Sequence, residues 1–205
     1  MNVLILTSSA QGEGSVSTGL ANHFAAEVRA NNPGAQIVTR NLGRDPLPHL
    51  TEATIAGIRA EATTPAEIAA RDLSDTLLDE IRAADLIVIA SPMYNFGISS
   101  TLKTWFDHIL RPRVAFRYSE AGPEGLLGGR KVVVIQSRAG VYEAGNPADS
   151  EEPHLRTMLG FAGFDDIAFV RAEGLAFGED AAKAALAKAQ GELAALAAAP
   201  LALAA

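Results

Sequence analysis

Two periods alternate along this chain of 205 residues, and that alternation limits the fold more than any other feature. Val3–Leu6, Leu86–Ala90 and Val132–Gln136 are short, nearly continuous apolar runs, as expected of strands buried on both faces. Shorter candidates fit Gln36–Arg40 and Asp166–Val170. Between them the spacing turns helical. Leu20, Phe24 and Val28 recur every fourth residue within Thr18–Ala30, and further helices fit Glu52–Arg59, Pro65–Ala83, Ser100–Leu110, Glu152–Phe161 and Asp180–Ala198. Strands that alternate with helices predict β-α-β units and a parallel sheet.

Five strands in a chain of this length predict a doubly wound α/β fold. The order 2-1-3-4-5, a flavodoxin-like sheet with helices on both faces, fits best. Domains commonly hold about 100–200 residues, and neither a repeat nor a linker divides this chain, so residues 1–205 are expected to form one domain. The segment Arg111–Gly129 is too long for a simple turn and is rich in Arg, Gly and Pro, the kind of loop that tends to be functional.

Composition removes several classes of function. The formal charge of −7 argues against an extended nucleic-acid surface. With no cysteine, disulfides, thiolate metal sites and cysteine nucleophiles are excluded. His23, His49, His108 and His154 are scattered without ligand spacing, so no metal is expected. The apolar stretch Leu193–Ala205 is broken by Pro200 and falls short of the roughly 20 residues that span a membrane. A soluble, cytoplasmic protein is expected. The pairs Glu151-Glu152 and Asp165-Asp166 read as solvated acids at a helix start and a turn.

In open α/β sheets ligands bind beyond the carboxyl ends of the strands, where strand order reverses. Three loops therefore carry the functional reading. The first, Ser8–Thr18, is rich in Gly and Ser and runs into a helix, as a phosphate loop does. It is not a Walker A loop, because Leu20 stands where Lys should follow the second Gly. Nor does it complete a dinucleotide fingerprint. Ser17 takes the place of the third Gly, and Arg40-Asn41 stands where an acid would hold the ribose. A lone phosphomonoester suits it, and so does an ordinary serine-capped helix start. The second loop, Ser91–Ser100, places Met93, Tyr94, Asn95 and Phe96 directly after strand three. These residues can sandwich a planar heteroaromatic ring or simply plug the end of the sheet. The third, Ser137–Tyr142, leaves strand four through small residues that let backbone donors approach a ligand, or that merely turn. A phosphate cradle beside a ring cradle, with no adenosine-binding acid, suggests FMN.

The chain resembles the FMN-dependent NADH-azoreductases of the flavodoxin-like NAD(P)H:quinone reductase group. The resemblance rests on Pro92-Met93-Tyr94-Asn95-Phe96, on Ser15-Val16-Ser17 after Ser9, and on Ser137-Arg138-Ala139-Gly140. Phe116-Arg117-Tyr118 with Gly122-Pro123-Glu124-Gly125-Leu126, Leu159-Gly160-Phe161 and Ala172-Glu173-Gly174 extend it over nearly the whole chain. One departure is visible, since Ala139 stands where the family commonly has the first of two glycines. The resemblance implies that Ser9, Ser15, Val16 and Ser17 hold the FMN phosphate. It implies that Met93, Tyr94, Asn95 and Phe96 line the ring, with Asn95 near the reactive flavin nitrogen, and that Ser137, Arg138, Ala139 and Gly140 reach its pyrimidine edge. Phe116, Tyr118 and Phe161 would line the substrate pocket. It further implies a homodimer with its active sites at the interface, and ping-pong transfer of two electrons from NADH to quinones and azo compounds. FMN itself carries the chemistry, so no acid–base residue is required. The alternative is a flavodoxin-type electron carrier with no small-molecule acceptor, against which the long Arg111–Gly129 segment argues.

Overall fold

The computed structural model describes residues 1–143 and 145–199, with Glu13 described by its backbone alone. The end of the apolar tail, from Pro200 on, lies outside the described residues. The elements run β1 (Asn2–Thr7), α1 (Val16–Asn31), β2 (Gln36–Asn41), α2 (Ile55–Arg59), α3 (Pro65–Ala83), β3 (Leu86–Pro92) and α4 (Ser100–Ile109). They continue with β4 (Phe116–Ser119), β5 (Gly122–Gly125), β6 (Lys131–Ser137), α5 (Glu151–Ala162), β7 (Ile167–Ala172) and α6 (Glu179–Ala198).

One sheet has the order β2-β1-β3-β6-β7, all parallel. This is the expected 2-1-3-4-5 arrangement, with β6 and β7 as its fourth and fifth strands. Alternate side chains feed two cores. Leu4, Leu6, Ile87, Ile89, Val132 and Val134 meet α3, α4 and α5, while Val3, Ile5, Val88, Val133 and Ile135 meet α1 and α6. Every residue of β3 is buried, which is why its run carries no charge.

The segment Arg111–Gly129 is more ordered than a loop, because β4 and β5 pair antiparallel within it. That hairpin packs backbone to backbone against the end of α5. A Cβ added to Gly163 would stand 2.9 Å from the Gly125 carbonyl carbon, and Gly163 closes α5 at φ 101°. Helix α3 starts on a capping box in which Thr64 and Glu67 each satisfy the other's backbone N–H.

Candidate active site

Since β1 lies beside β3 and β3 beside β6, their carboxyl ends stand side by side. A cavity of about 300 Å³ opens there, with walls from all three loops singled out in the sequence.

The first loop supplies Ser9, Gln11, Ser15 and Val16 to that wall. Ser9 and Ser15 are buried. The Ser9 hydroxyl lies 3.2 Å from the Tyr94 hydroxyl and accepts from the Gln11 N–H at 3.1 Å. Ser15 is the N-cap of α1 and accepts from the Thr18 N–H at 3.3 Å. The N–H groups of Val16 and Ser17 have no acceptor within their own helix, because they belong to its first turn. That turn also lacks an acid. Hydroxyls, free N–H groups and the positive end of the helix dipole make this corner suited to an anion. Ser17 is fully buried, off the wall, with its hydroxyl 3.3 Å from that of Ser15.

The second loop supplies Pro92, Met93 and Tyr94. Tyr94 also accepts from the Ala10 N–H at 3.0 Å through its hydroxyl, tying this loop to the first. The Met93 N–H donates to the Ser137 carbonyl at 3.0 Å, tying it to the third. Tyr94 and Gly97 then exchange backbone hydrogen bonds around Asn95 and Phe96, which sit at φ 47° and 71°. Two positive φ values in a two-residue turn are the type I′ pattern, normally Asn-Gly. Asn tolerates that region, whereas Phe is strained there by about 1–2 kcal/mol. Asn95 and Phe96 are exposed beyond the cavity wall. A bulky apolar residue held strained and exposed points to a ligand or partner contact.

The third loop supplies Ser137, Arg138 and Ala139. Ala139 is absent from the residues with positive φ, so alanine occupies this usual glycine position without backbone strain. Gly140 is turned aside, its carbonyl accepting from the Gly174 N–H at 2.9 Å. The segment after β7 completes the cavity with Leu175 and Ala176, residues that sequence reasoning missed. They are held by backbone bonds from Leu175 N–H to Arg138 and from Ala176 N–H to Ala139. Gly174, at φ 72°, was the available signal for this turn.

The Arg138 side chain is wholly buried in a cluster of acids. It donates to Asp149 at 3.0 Å, Glu151 at 3.1 Å and Glu173 at 3.1 Å. Burial disfavours its charge, but Glu151, Asp149 and Glu173 outweigh that and raise its pKa. Its backbone is engaged as well, the N–H donating to the Ala172 carbonyl at 2.9 Å and the carbonyl accepting from the Leu175 N–H at 3.2 Å, so Arg138 shapes the wall and offers a ligand no free polar group. Glu151 corrects the sequence reading. Far from solvated, it has no exposed surface, and burial pushes its carboxyl up to about 7.

Phe116, Tyr118 and Phe161 are brought together, with Phe116 4.3 Å from Phe161 and 5.7 Å from Tyr118 between ring centroids. None of the three lines the cavity of its own chain. Tyr118 is 75% exposed at the hairpin edge.

A family model described as flavodoxin-like fold matches residues 1–197. An FMN-dependent NADH:quinone oxidoreductase of Hyphomonas neptunium is 48% identical over 195 residues, covering 94% of each chain. FMN-dependent NADH:quinone oxidoreductase 6 of Burkholderia lata is 50% identical over 195 residues, 94% of this chain and 98% of that one. This chain belongs to the flavodoxin-like FMN-dependent NADH:quinone oxidoreductase family. Among solved structures, an azoreductase from Bacillus anthracis superposes with a TM-score of 0.87 at 28% identity, over 97% of this chain and 99% of that one. An FMN-dependent NADH-azoreductase of the same species, solved in complex with FMN, gives 0.83 at 26% identity over 96% and 100%.

Proposed function

We propose that this protein is an FMN-dependent oxidoreductase that takes electrons from NADH and reduces quinones and azo compounds. One observation carries the reading: a single cavity joins a helix start suited to an anion to a slot walled by Met93 and Tyr94 at the switch point of the sheet. The residues present fit FMN. The hydroxyls of Ser9 and Ser15 and the N–H groups of Val16 and Ser17 would hold the phosphate, with the buried Ser17 hydroxyl backing that of Ser15. Met93 and Tyr94 would face the ring from one side, with Asn95 and Phe96 at its exposed rim, and Ser137 and Ala139, backed by Arg138 and Gly140, would reach its polar edge.

When bound, FMN supplies the redox chemistry, accepting hydride from NADH and passing two electrons to the acceptor. The chain's own residues bind and orient. The N–H groups of Ala139 and Gly140 in the third loop would favour negative charge at the ring's polar edge, and Asn95 offers an amide that both donates and accepts. Met93 and Tyr94 exclude water from one face. No side-chain acid or base is required.

The chain is proposed to work as a single domain, cytoplasmic, in a homodimer. Among the described residues no helix is long and apolar enough to cross a membrane. The dimer reading is supported by Phe96, Tyr118 and Phe177, which leave 54%, 75% and 68% of their surface exposed. In a dimer Tyr118, with the partly buried Phe161 behind it, would serve the neighbouring subunit's pocket; Phe116, expected beside them, is only 4% exposed and packs in the core, where it backs the other two rings. Light scattering should give twice 21.4 kDa, and a fully active species of 21.4 kDa would sink the dimer. The function itself is tested by titrating the purified chain with FMN, FAD and NAD under fluorescence detection. Tight one-to-one binding of FMN in preference to the dinucleotides is expected. Equal or absent binding of FMN would overturn the reading.

A further inference from the structure

Helix α5 begins with a carboxylate that contacts the roots of both loops flanking the cavity. Glu151 Oε1 accepts from the Ser91 hydroxyl at 2.7 Å, and Oε2 accepts from Arg138 Nε at 3.1 Å. Ser91 lies two residues before Met93, and Arg138 directly precedes Ala139. The same helix start also holds the outer end of the second loop, because the Ser150 N–H donates to the Phe96 carbonyl at 3.1 Å.

We propose that Glu151 is a positioning residue for the flavin ring: its carboxylate locks the loop of Met93–Phe96 to the loop of Arg138–Gly140, so that the two walls keep one separation. This rests on the reading that the cavity holds FMN. Glu151 touches neither cofactor nor substrate and acts through Ser91 and Arg138.

The charge state of Glu151 decides how tightly the lock holds. An ionised carboxylate only accepts, and so it serves Ser91 and Arg138 together. Once protonated it must donate to Ser91, whose hydroxyl turns to accept, and it offers Arg138 only a neutral oxygen. The bond to Arg138 then weakens, because an ionised acceptor makes the stronger hydrogen bond. The groups around it come from every neighbouring element. Arg138 follows β6, Ser91 ends β3, Asp149 precedes α5, and Glu173 follows β7. Glu152, next along α5, lies 3.9 Å from the Arg138 guanidinium and pairs with Arg171 of β7. Gln136 sits in register between Ser91 and Arg171, fully buried, its amide without a hydrogen-bond partner. Four carboxylates thus surround one buried guanidinium. Burial, opposed by the bonds from Ser91 and Arg138 and helped by the charge of Asp149, pushes the Glu151 carboxyl up to about 7.

The test is the FMN dissociation constant of wild type and Glu151→Gln, measured by fluorescence quenching from pH 6 to pH 8.5. Glutamine has the shape of the acid and, like its protonated form, donates toward Ser91 and offers Arg138 a neutral oxygen. The FMN phosphate also titrates, near pH 6, but equally in both proteins, so the ratio of the two constants isolates Glu151. The ratio should be close to one at pH 6. It should rise through pH 7 to about fivefold tighter binding by wild type at pH 8.5, the worth of one ordinary hydrogen bond. A ratio that stays flat with pH, whether at one or at a uniform loss, would overturn the proposal, since a merely structural role predicts no crossover. If wild type fails to bind FMN at any pH, the functional reading falls and this proposal with it.

Discussion

Substituting Gly43 by alanine should injure the cofactor site from outside it. Gly43 follows β2 and packs under the first loop. A Cβ added there would stand 2.8 Å from the Ser9 carbonyl carbon and closer still to its oxygen, against 3.4–4 Å for ordinary contact. Both sides of this clash are backbone, so no side chain can swing away. One strand of the chain must yield by more than half an ångström. Overpacking of this kind costs about 1–3 kcal/mol, which in a chain of this size lowers Tm by roughly 4–8 °C for a cost near 2 kcal/mol. Moving Ser9 also pulls its hydroxyl from Tyr94 and from the phosphate corner. Losing one hydrogen bond to a charged group costs about 1.5–3 kcal/mol, so FMN should bind roughly 10- to 100-fold more weakly. Gly19→Ala is the control. It lies exposed in α1, an added Cβ there meets nothing within 4 Å, and alanine should stabilise the helix by about 0.5–1 kcal/mol with FMN affinity unchanged. The assay is thermal melting of the apoprotein beside fluorescence titration of FMN. A Gly43→Ala protein that melts lower yet binds FMN like wild type would refute the placement of Ser9 at the phosphate.

Three further outcomes are expected. Asn95→Ala should weaken FMN binding or slow its reduction by NADH, because one polar ring contact is lost; stopped-flow reduction and equilibrium titration check this, and unchanged values in both would refute it. At position 96, where φ is 71°, Phe96→Gly should melt higher than Phe96→Ala, equivalent to about 1 kcal/mol, since only glycine relieves the left-handed strain; equal melting temperatures would contradict that strain. The carboxyl of Glu151 is raised from 4.5 to about 7 on folding, so the native state holds a proton that the unfolded chain has released. Its contribution to stability is therefore complete below pH 4.5 and is lost as pH rises through 7. Relative to Glu151→Gln, the wild-type apoprotein should lose about 3 kcal/mol between pH 4 and pH 8 in urea unfolding, and a difference that is constant or grows with pH would refute it.

The parts of this molecule that could be read from its sequence are those whose environment is uniform. Strands β1, β3 and β6 are buried on both faces, so each is an unbroken apolar run; alternation with helices marks the sheet as parallel, and five strands fit the 2-1-3-4-5 order among the common doubly wound ones. The serine-capped start of α1 and the aromatic loop after β3 were visible because their residue types have few other uses side by side. Glu151 was misread because nothing local distinguishes it from Glu152; only the loop that folds over the start of α5 and the buried Arg138 beneath it decide its state. The hairpin of β4 and β5 was hidden because three of the four residues of β4 face solvent and no apolar pattern marks it. Leu175 and Ala176 escaped because their place in the wall comes from backbone bonds to Arg138 and Ala139 across 37 residues of chain, a relation that no side-chain pattern records.

The central claim is that the cavity at the carboxyl end of the sheet holds a flavin that exchanges electrons with small molecules. The most direct test is the visible absorption spectrum of the FMN-reconstituted protein under anaerobic conditions, followed on adding NADH and then a quinone or an azo dye. Rapid bleaching with NADH and full return of the oxidised spectrum on adding the acceptor are predicted. A bound flavin that NADH leaves oxidised would contradict the account and favour an electron carrier.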